Sequence, residues 1–93
     1  MKKYKLTNET ITLLNGVVLH RIECIVPIPA LSVNVGDKGG FIESENNLIG
    51  NAWVYGNAEV YGNAKVCGNA EVYGNAWVYG DAEVYGNAEV CGN

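Results

Sequence analysis

The chain has 93 residues, enough for one domain but few for a large buried core. Ten acidic residues against six basic ones give a net charge of −4, and no basic stripe exists, so direct binding to nucleic acid is not expected. No apolar run is long enough to cross a membrane. The three cysteines are odd in number and widely spaced, which favours reduced thiols and a cytoplasmic protein.

Residues 1–47 are predicted to form an antiparallel β-hairpin cap. The dipeptide Asn15-Gly16 is a strong hairpin signal, and residues that favour β-structure precede and follow it. Pro27 and Pro29 end the second strand, because proline cannot donate a hydrogen bond to a neighbouring strand. The cap would cover the strand edge at the amino end of the segment that follows.

Two features of the cap suggest chemistry but are interpreted as structural. Residues 36–40 (GDKGG) are predicted to form a tight loop, because no lysine-serine or lysine-threonine pair follows, as it would in a phosphate-binding loop. His20 is the only histidine of the chain and lies in an apolar run. We therefore interpret His20 as a strand residue, and predict no catalytic residue there.

Residues 48–93 are dominated by a six-residue repeat. Seven hexads, such as NAWVYG and NAEVYG, keep glycine, alanine and valine in register. In an extended segment the valine points inward and its two neighbours point outward, and the Gly-Asn pair tolerates the left-handed backbone of a corner. Three sides would close a coil of about eighteen residues. The predicted fold class is therefore all-β: a short left-handed parallel β-helix with an amino-terminal antiparallel β cap.

A coil of eighteen residues predicts which residues stack on one another. The inward valines form columns, one of which is Val54, Val72 and Val90. Polar residues are expected to stack at the corners, where side-chain amides can hydrogen-bond along a ladder. The predicted ladders are Asn51-Asn69-Asn87, Asn57-Asn75-Asn93 and Asn63-Asp81.

The junction between the two segments resembles a known family. Residues 36–48 (GDKGGFIESENNL), followed by the first hexads, are similar to the YdcK-like hexapeptide-repeat β-solenoid proteins of bacteria, phages and prophages. The likeness extends from about residue 31 to residue 93. It implies a β-solenoid and a phage context, and it implies no established activity.

Hexapeptide β-helices include acyltransferases and zinc-dependent carbonic anhydrases, which need a catalytic histidine or several histidine ligands. The single histidine lies outside the repeat, and Cys67 and Cys91 would lie on different sides of the coil. We therefore expect no enzyme, no metal and no cofactor. A catalytically degenerate hexapeptide transferase remains an alternative.

A protein-binding module is the favoured function. The outward positions of the hexads carry aromatic and acidic residues, and aromatic residues are enriched at the centres of protein interfaces. The same residues could instead stiffen the fold by packing in ladders. A sharper alternative is a phage anti-defence inhibitor, similar to an anti-CRISPR protein, whose acidic rod blocks a nucleic-acid channel. The candidate surface consists of Trp53, Tyr55, Glu59, Tyr61, Glu71, Tyr73, Trp77 and Tyr79.

The carboxyl-terminal coil is predicted to form a homodimer. Its strand edges would remain open to pairing, which natural proteins avoid by capping or by contact with a partner. We expect two chains to meet there about a two-fold axis. The residues predicted at this contact are Tyr85, Glu89, Val90 and Cys91.

Overall fold

The computed structural model describes residues 2–92, which are β-strands joined by turns and two short 3₁₀-helices. The 3₁₀-helices cover Pro29–Leu31 and Glu45–Asn47. The strands are β1 (Tyr4–Thr12), β2 (Val18–Cys24), β3 (Lys38–Ile42), β4 (Trp53–Val54), β5 (Glu59–Val60), β6 (Lys65–Val66), β7 (Glu71–Gly74), β8 (Trp77–Val78), β9 (Glu83–Val84) and β10 (Glu89–Gly92).

The hairpin predicted at Asn15-Gly16 is present. Strands β1 and β2 pair antiparallel, with a register shift between Leu6 and Thr10. The Asn15 side chain accepts a hydrogen bond from the Val17 amide, and the Leu13 amide donates to the Val17 carbonyl. These bonds hold the turn in one conformation, as an asparagine in a tight turn commonly does.

The predicted left-handed parallel β-helix is wrong, and so is the solenoid that the family resemblance implied. The largest sheet is mixed and has the order β1-β2-β3-β5-β8. Strands β1, β2 and β3 pair antiparallel, whereas β3, β5 and β8 pair parallel. The antiparallel strands therefore continue into the repeat instead of sitting on its end as a cap. The fold is a small all-β globule with mixed sheets.

The repeat strands nevertheless pair at the offset that the hexads predict. Val54 pairs with Val72 and Val72 with Val90 in the three-stranded parallel sheet β4-β7-β10. The two-stranded sheet β6-β9 has the same offset, which is eighteen residues. The glycine that ends each of the first six hexads has a φ between 58 and 73°, so these positions use the left-handed backbone predicted for the corners.

Two of the three predicted polar ladders contain side-chain hydrogen bonds. Asn63 donates to Asp81 over 3.3 Å, and Asn69 donates to Asn87 over 3.4 Å. The third ladder includes Asn93, which lies outside the described residues.

The glycine-rich segment is not the predicted loop throughout, because β3 already begins at Lys38. Gly39 and Gly40 are buried in this strand, and they lie against the backbone of the first hexads. A Cβ atom on Gly40 would lie 2.5 Å from the carbonyl oxygen of Ala58, which is too close for a side chain. The two glycines therefore allow β3 to pack against the repeat.

Two buried polar side chains join the two halves of the chain. The Tyr4 hydroxyl donates to the carbonyls of Glu45 and Leu48, over 3.0 and 2.8 Å. The Asn47 side chain accepts from the amides of Glu43 and Ser44 and donates to the carbonyls of Gly62 and Ala64. Each buried polar group thereby has its partners, as a folded interior requires.

The core runs through both halves and thins toward the outer strands. Ile22, Ile42 and the inward valines and alanines of the first hexads belong to one buried cluster. Val54, Val60, Val66 and Val72 have no exposed surface, whereas Val90 is only half-buried. The outer strands β8, β9 and β10 are thus less well covered than β5, β6 and β7, with which they pair.

Candidate functional site

The eight residues of the predicted surface lie on two separate faces. Trp53, Tyr55, Glu71 and Tyr73 belong to the sheet β4-β7-β10 or follow its strands, and we call this set the Tyr55 face. Glu59, Tyr61, Trp77 and Tyr79 belong to or follow β5 and β8 of the mixed sheet, and we call this set the Trp77 face. The structure therefore does not bring the eight residues together as a single surface.

Trp53 of the Tyr55 face is not available to a binding partner, because only 1% of the residue is exposed. It belongs to the same buried cluster as Tyr4, Ile28 and Val33, which come from the amino-terminal half. Exposure rises along the column: Glu71, which pairs in register with Trp53, is half-buried, and Glu89, which pairs with Glu71, is exposed.

The polar groups of the Tyr55 face are largely paired with one another. The Tyr55 hydroxyl donates to Glu71 over 3.0 Å, and the Tyr73 hydroxyl donates to Glu89 over 3.1 Å. The Tyr55 and Tyr73 rings meet edge to face, with 6.3 Å between their centres. Burial, followed by the bond to Glu71, raises the pKa of Tyr55. The residues of this face satisfy one another, which suits a structural role.

The Trp77 face presents two of its aromatic rings to solvent. Trp77 is 64% exposed and Tyr79 is 54% exposed, whereas Tyr61 is half-buried. The rings of Tyr61 and Tyr79 stack with 5.4 Å between their centres and an angle of 9° between their planes. The two rings are therefore already arranged in the unbound protein, which lowers the cost of ordering them on binding.

A column of three residues in register crosses β3, β5 and β8, from the buried Phe41 to the exposed Trp77. Phe41 of β3 pairs in register with Glu59, and Glu59 pairs with Trp77. At the Phe41 end, the guanidinium of Arg21 lies 4.3 Å from the ring centre. Arg21 also pairs with Glu9 over 2.8 Å and donates to the carbonyls of Gly39 and Gly56. The column thus places an acid between two aromatic rings, one of which is covered by a cation.

The hairpin turn forms a second wall beside the Trp77 face. Together they enclose an open groove of about 490 Å³. The Leu14 side chain is fully exposed at its rim. The groove is lined by Thr12, Leu13, Leu14, Asn15, Glu59, Tyr61 and Trp77.

The electrostatics of the groove are set by Glu59. Its side chain is half-buried, and among residues 2–92 it forms no ion pair. Burial raises the pKa of Glu59 above its usual value, because the carboxylate loses hydration without gaining a cation. Burial, followed by the charge of Glu59, also raises the pKa of the Tyr61 phenol. A cation in this groove would relieve both effects.

The residues with potential catalytic chemistry lie apart from the groove. The Nδ1 atom of His20 lies 3.1 Å from the Thr7 carbonyl, a contact within the hairpin. Cys24 is buried and donates to the Val26 carbonyl, while Cys67 is half-buried and Cys91 is exposed. Within residues 2–92, no three His, Cys, Asp or Glu side chains are grouped so that they could hold a metal ion. In the same part of the chain, no helix has the length and apolar character needed to cross a membrane.

The residues predicted at the dimer contact lie on the outermost strands. Glu89, Val90 and Cys91 are in β10, which pairs only with β7, and the exposed Tyr85 follows β9. Strands β8, β9 and β10 each pair on one side only within residues 2–92. Their other edges are open to further pairing.

The leucines of the groove and the Arg21–Phe41 contact beside it were not anticipated from the sequence. Leu13 and Leu14 belong to the hairpin turn, and nothing in their own spacing links them to residues far along the chain. Arg21 carried a weak signal, because a single cation in an apolar strand usually has a specific partner.

Comparisons with known protein families, curated proteins and solved structures found no match. The resemblance at residues 36–48 thus stays a prediction.

Proposed function

We propose that the protein is a non-enzymatic protein-binding module and that it binds its partner through the Trp77 face. The observation that carries this proposal is the exposed Trp77 ring beside the stacked rings of Tyr61 and Tyr79. A large aromatic side chain buries much surface on binding and loses little conformational entropy. An exposed cluster of this kind on a small protein is typical of an interaction surface.

The contrast between the two faces supports the choice of surface. On the Tyr55 face the tryptophan is buried and both tyrosine hydroxyls donate to glutamates of the same face. On the Trp77 face the rings of Trp77 and Tyr79 are exposed, and Glu59 has no cationic partner among residues 2–92. Unsatisfied charge and exposed aromatic area are together what a protein partner would cover.

Affinity capture with matched variants tests the proposal. Wild-type protein, Trp77→Ala and Val35→Ala would each be immobilised and incubated with the same cell lysate, and the retained proteins would be quantified by mass spectrometry. Val35 is an equally exposed large apolar residue that belongs neither to the Trp77 face nor to the proposed dimer contact, so it is the matched control. We expect a protein that wild type and Val35→Ala retain and Trp77→Ala loses. Equal retention by all three, or no specific retention, would contradict the proposal.

We also propose that two chains associate through the open edges of β8, β9 and β10. The support is that these edges lack a neighbouring strand within residues 2–92 and that Val90 is only half-buried there. Pairing about a two-fold axis would satisfy the free backbone groups and cover the apolar end of the core.

A further inference from the structure

The column Phe41-Glu59-Trp77 has a cation over only one of its two rings. Arg21 covers Phe41 at 4.3 Å, a distance at which the guanidinium is attracted to the face of the ring. Trp77, at the other end of the column, is exposed and has no such cation among the described residues. Tryptophan is the aromatic residue that attracts cations most strongly.

Glu59 lies between the two rings and would be the counter-ion of a second cation. Arg21 does not pair with Glu59, because its guanidinium is directed to Glu9 and to the backbone carbonyls of Gly39 and Gly56. Thr12 to Asn15, which form the opposite wall of the groove, include no charged residue. The groove therefore contains a half-buried carboxylate and an exposed indole, and the cation that suits both must come from outside.

The wall made by the hairpin turn is uncharged and carries two apolar side chains, Leu13 and Leu14. Leu14 is fully exposed, and Leu13 lines the same groove. An apolar side chain next to the incoming cation would cover these two leucines. The whole groove, about 490 Å³, has room for a few side chains of a peptide and is open along one side.

We propose that this groove binds an arginine side chain of a partner protein, with the guanidinium over Trp77 and against Glu59, and a neighbouring apolar residue against Leu13 and Leu14. Arginine suits the site better than lysine, because its planar guanidinium stacks on an aromatic ring and pairs with a carboxylate at the same time. This inference rests on the proposed function and specifies the chemistry of the partner.

Two peptides of equal shape test the inference. The first is the capped heptapeptide Gly-Ser-Leu-Arg-Leu-Ser-Gly, and the second replaces arginine by citrulline, which has nearly the same shape but no charge. Their affinities would be measured by NMR titration for wild type, Glu59→Gln and Glu83→Gln. Glu83 is an exposed acid in β9, outside the groove, and provides the matched control.

We expect wild type and Glu83→Gln to bind the arginine peptide at least about tenfold more tightly than the citrulline peptide. In Glu59→Gln the two affinities should become nearly equal. Equal affinities in wild type, an unchanged ratio in Glu59→Gln, or no binding of the arginine peptide would overturn the inference. If capture of a partner still depends on Trp77 while any of these three results is obtained, the proposed function stands and only the arginine assignment fails.

Discussion

The guanidinium of Arg21 lies 4.3 Å from the centre of the Phe41 ring, across the boundary between β2 and β3. The same side chain pairs with Glu9 of β1 and donates to the carbonyl of Gly56 in the first hexad. One residue thus connects the hairpin, β3 and the repeat. This relationship explains how the antiparallel and parallel parts of the mixed sheet are held in one orientation.

Replacement of Arg21 should therefore destabilise the whole fold. Arg21→Met keeps much of the apolar length but removes the charge-assisted hydrogen bonds and the contact with Phe41, and we expect a loss of about 2–3 kcal/mol. Lys5→Met, an exposed cation on β1, should change stability by no more than about 0.5 kcal/mol. Urea unfolding measures both variants. Equal effects of the two variants would show that Arg21 does not connect the strands.

Loss of the Asn47 side chain should be still more costly. Its carboxamide makes four hydrogen bonds to backbone groups, and the residue is fully buried. Asn47→Ala leaves several of these groups without partners, and we expect a loss of about 3 kcal/mol or more. The neighbouring Asn46 is exposed, so Asn46→Ala is the control and should be nearly neutral. Thermal unfolding measures the stability of both variants. If Asn47→Ala loses no more stability than Asn46→Ala, the hydrogen bonds of Asn47 do not stabilise the fold as expected.

The raised pKa of Tyr55 predicts weaker stability in alkali. Because burial and the bond to Glu71 favour the protonated phenol, the folded protein keeps this proton to a higher pH than the unfolded chain. The resulting stabilisation is complete below the ordinary tyrosine pKa of 10.0 and is lost as pH rises through the folded value. Tyr4, whose pKa burial raises to about 12, adds to the effect. We expect the free energy of unfolding to fall above about pH 10, and to fall less steeply in Tyr55→Phe. Urea unfolding at a series of pH values measures this fall. An equally steep fall of the free energy of unfolding with pH in wild type and in Tyr55→Phe would contradict this account.

The open edges of β8, β9 and β10 predict association of two chains. Light scattering at micromolar concentration should give about twice the mass of one chain, which is 10.0 kDa. The double variant Tyr85→Lys/Glu89→Lys places cations along the edges and should yield a monomer, because charged side chains discourage pairing. Ile49→Lys adds a cation at an exposed apolar residue away from these edges and is the control. A wild-type monomer at high micromolar concentration would disprove the dimer.

Local signals in the sequence predicted the strand pairings that depend on short-range geometry. The valine in each hexad predicted the offset that joins Val54 to Val72, and Asn15-Gly16 predicted the hairpin. The fold class was wrong because it depended on a long-range pairing. Strand β3 pairs with β2 on one side and with β5 on the other, and the close approach that Gly39 and Gly40 permit leaves no periodic pattern.

The exposure of the two tryptophans in the repeat could be predicted only in part, because it also depends on contacts with the amino-terminal half. Alternation within a hexad places Trp53 and Trp77 at equivalent outward positions, and it correctly indicates that Trp77 is exposed. Trp53 is buried because the amino-terminal half covers the first hexad on that side, which the repeat itself cannot indicate. The leucines of the hairpin turn line the groove together with residues distant in the sequence, and no local pattern indicates such a contact.

A map of the residues that a peptide contacts tests the central claim most directly, which is that the Trp77 face binds an arginine side chain of a partner protein. Backbone amide NMR spectra of the isotope-labelled protein would be recorded as the arginine heptapeptide is added. We predict shifts at Thr12 to Asn15, Glu59, Tyr61 and Trp77, and little change at Leu31, Tyr55 and Tyr73, which line a separate cavity at the Tyr55 face. Shifts confined to the Tyr55 face, or no shifts at saturating peptide, would contradict the account.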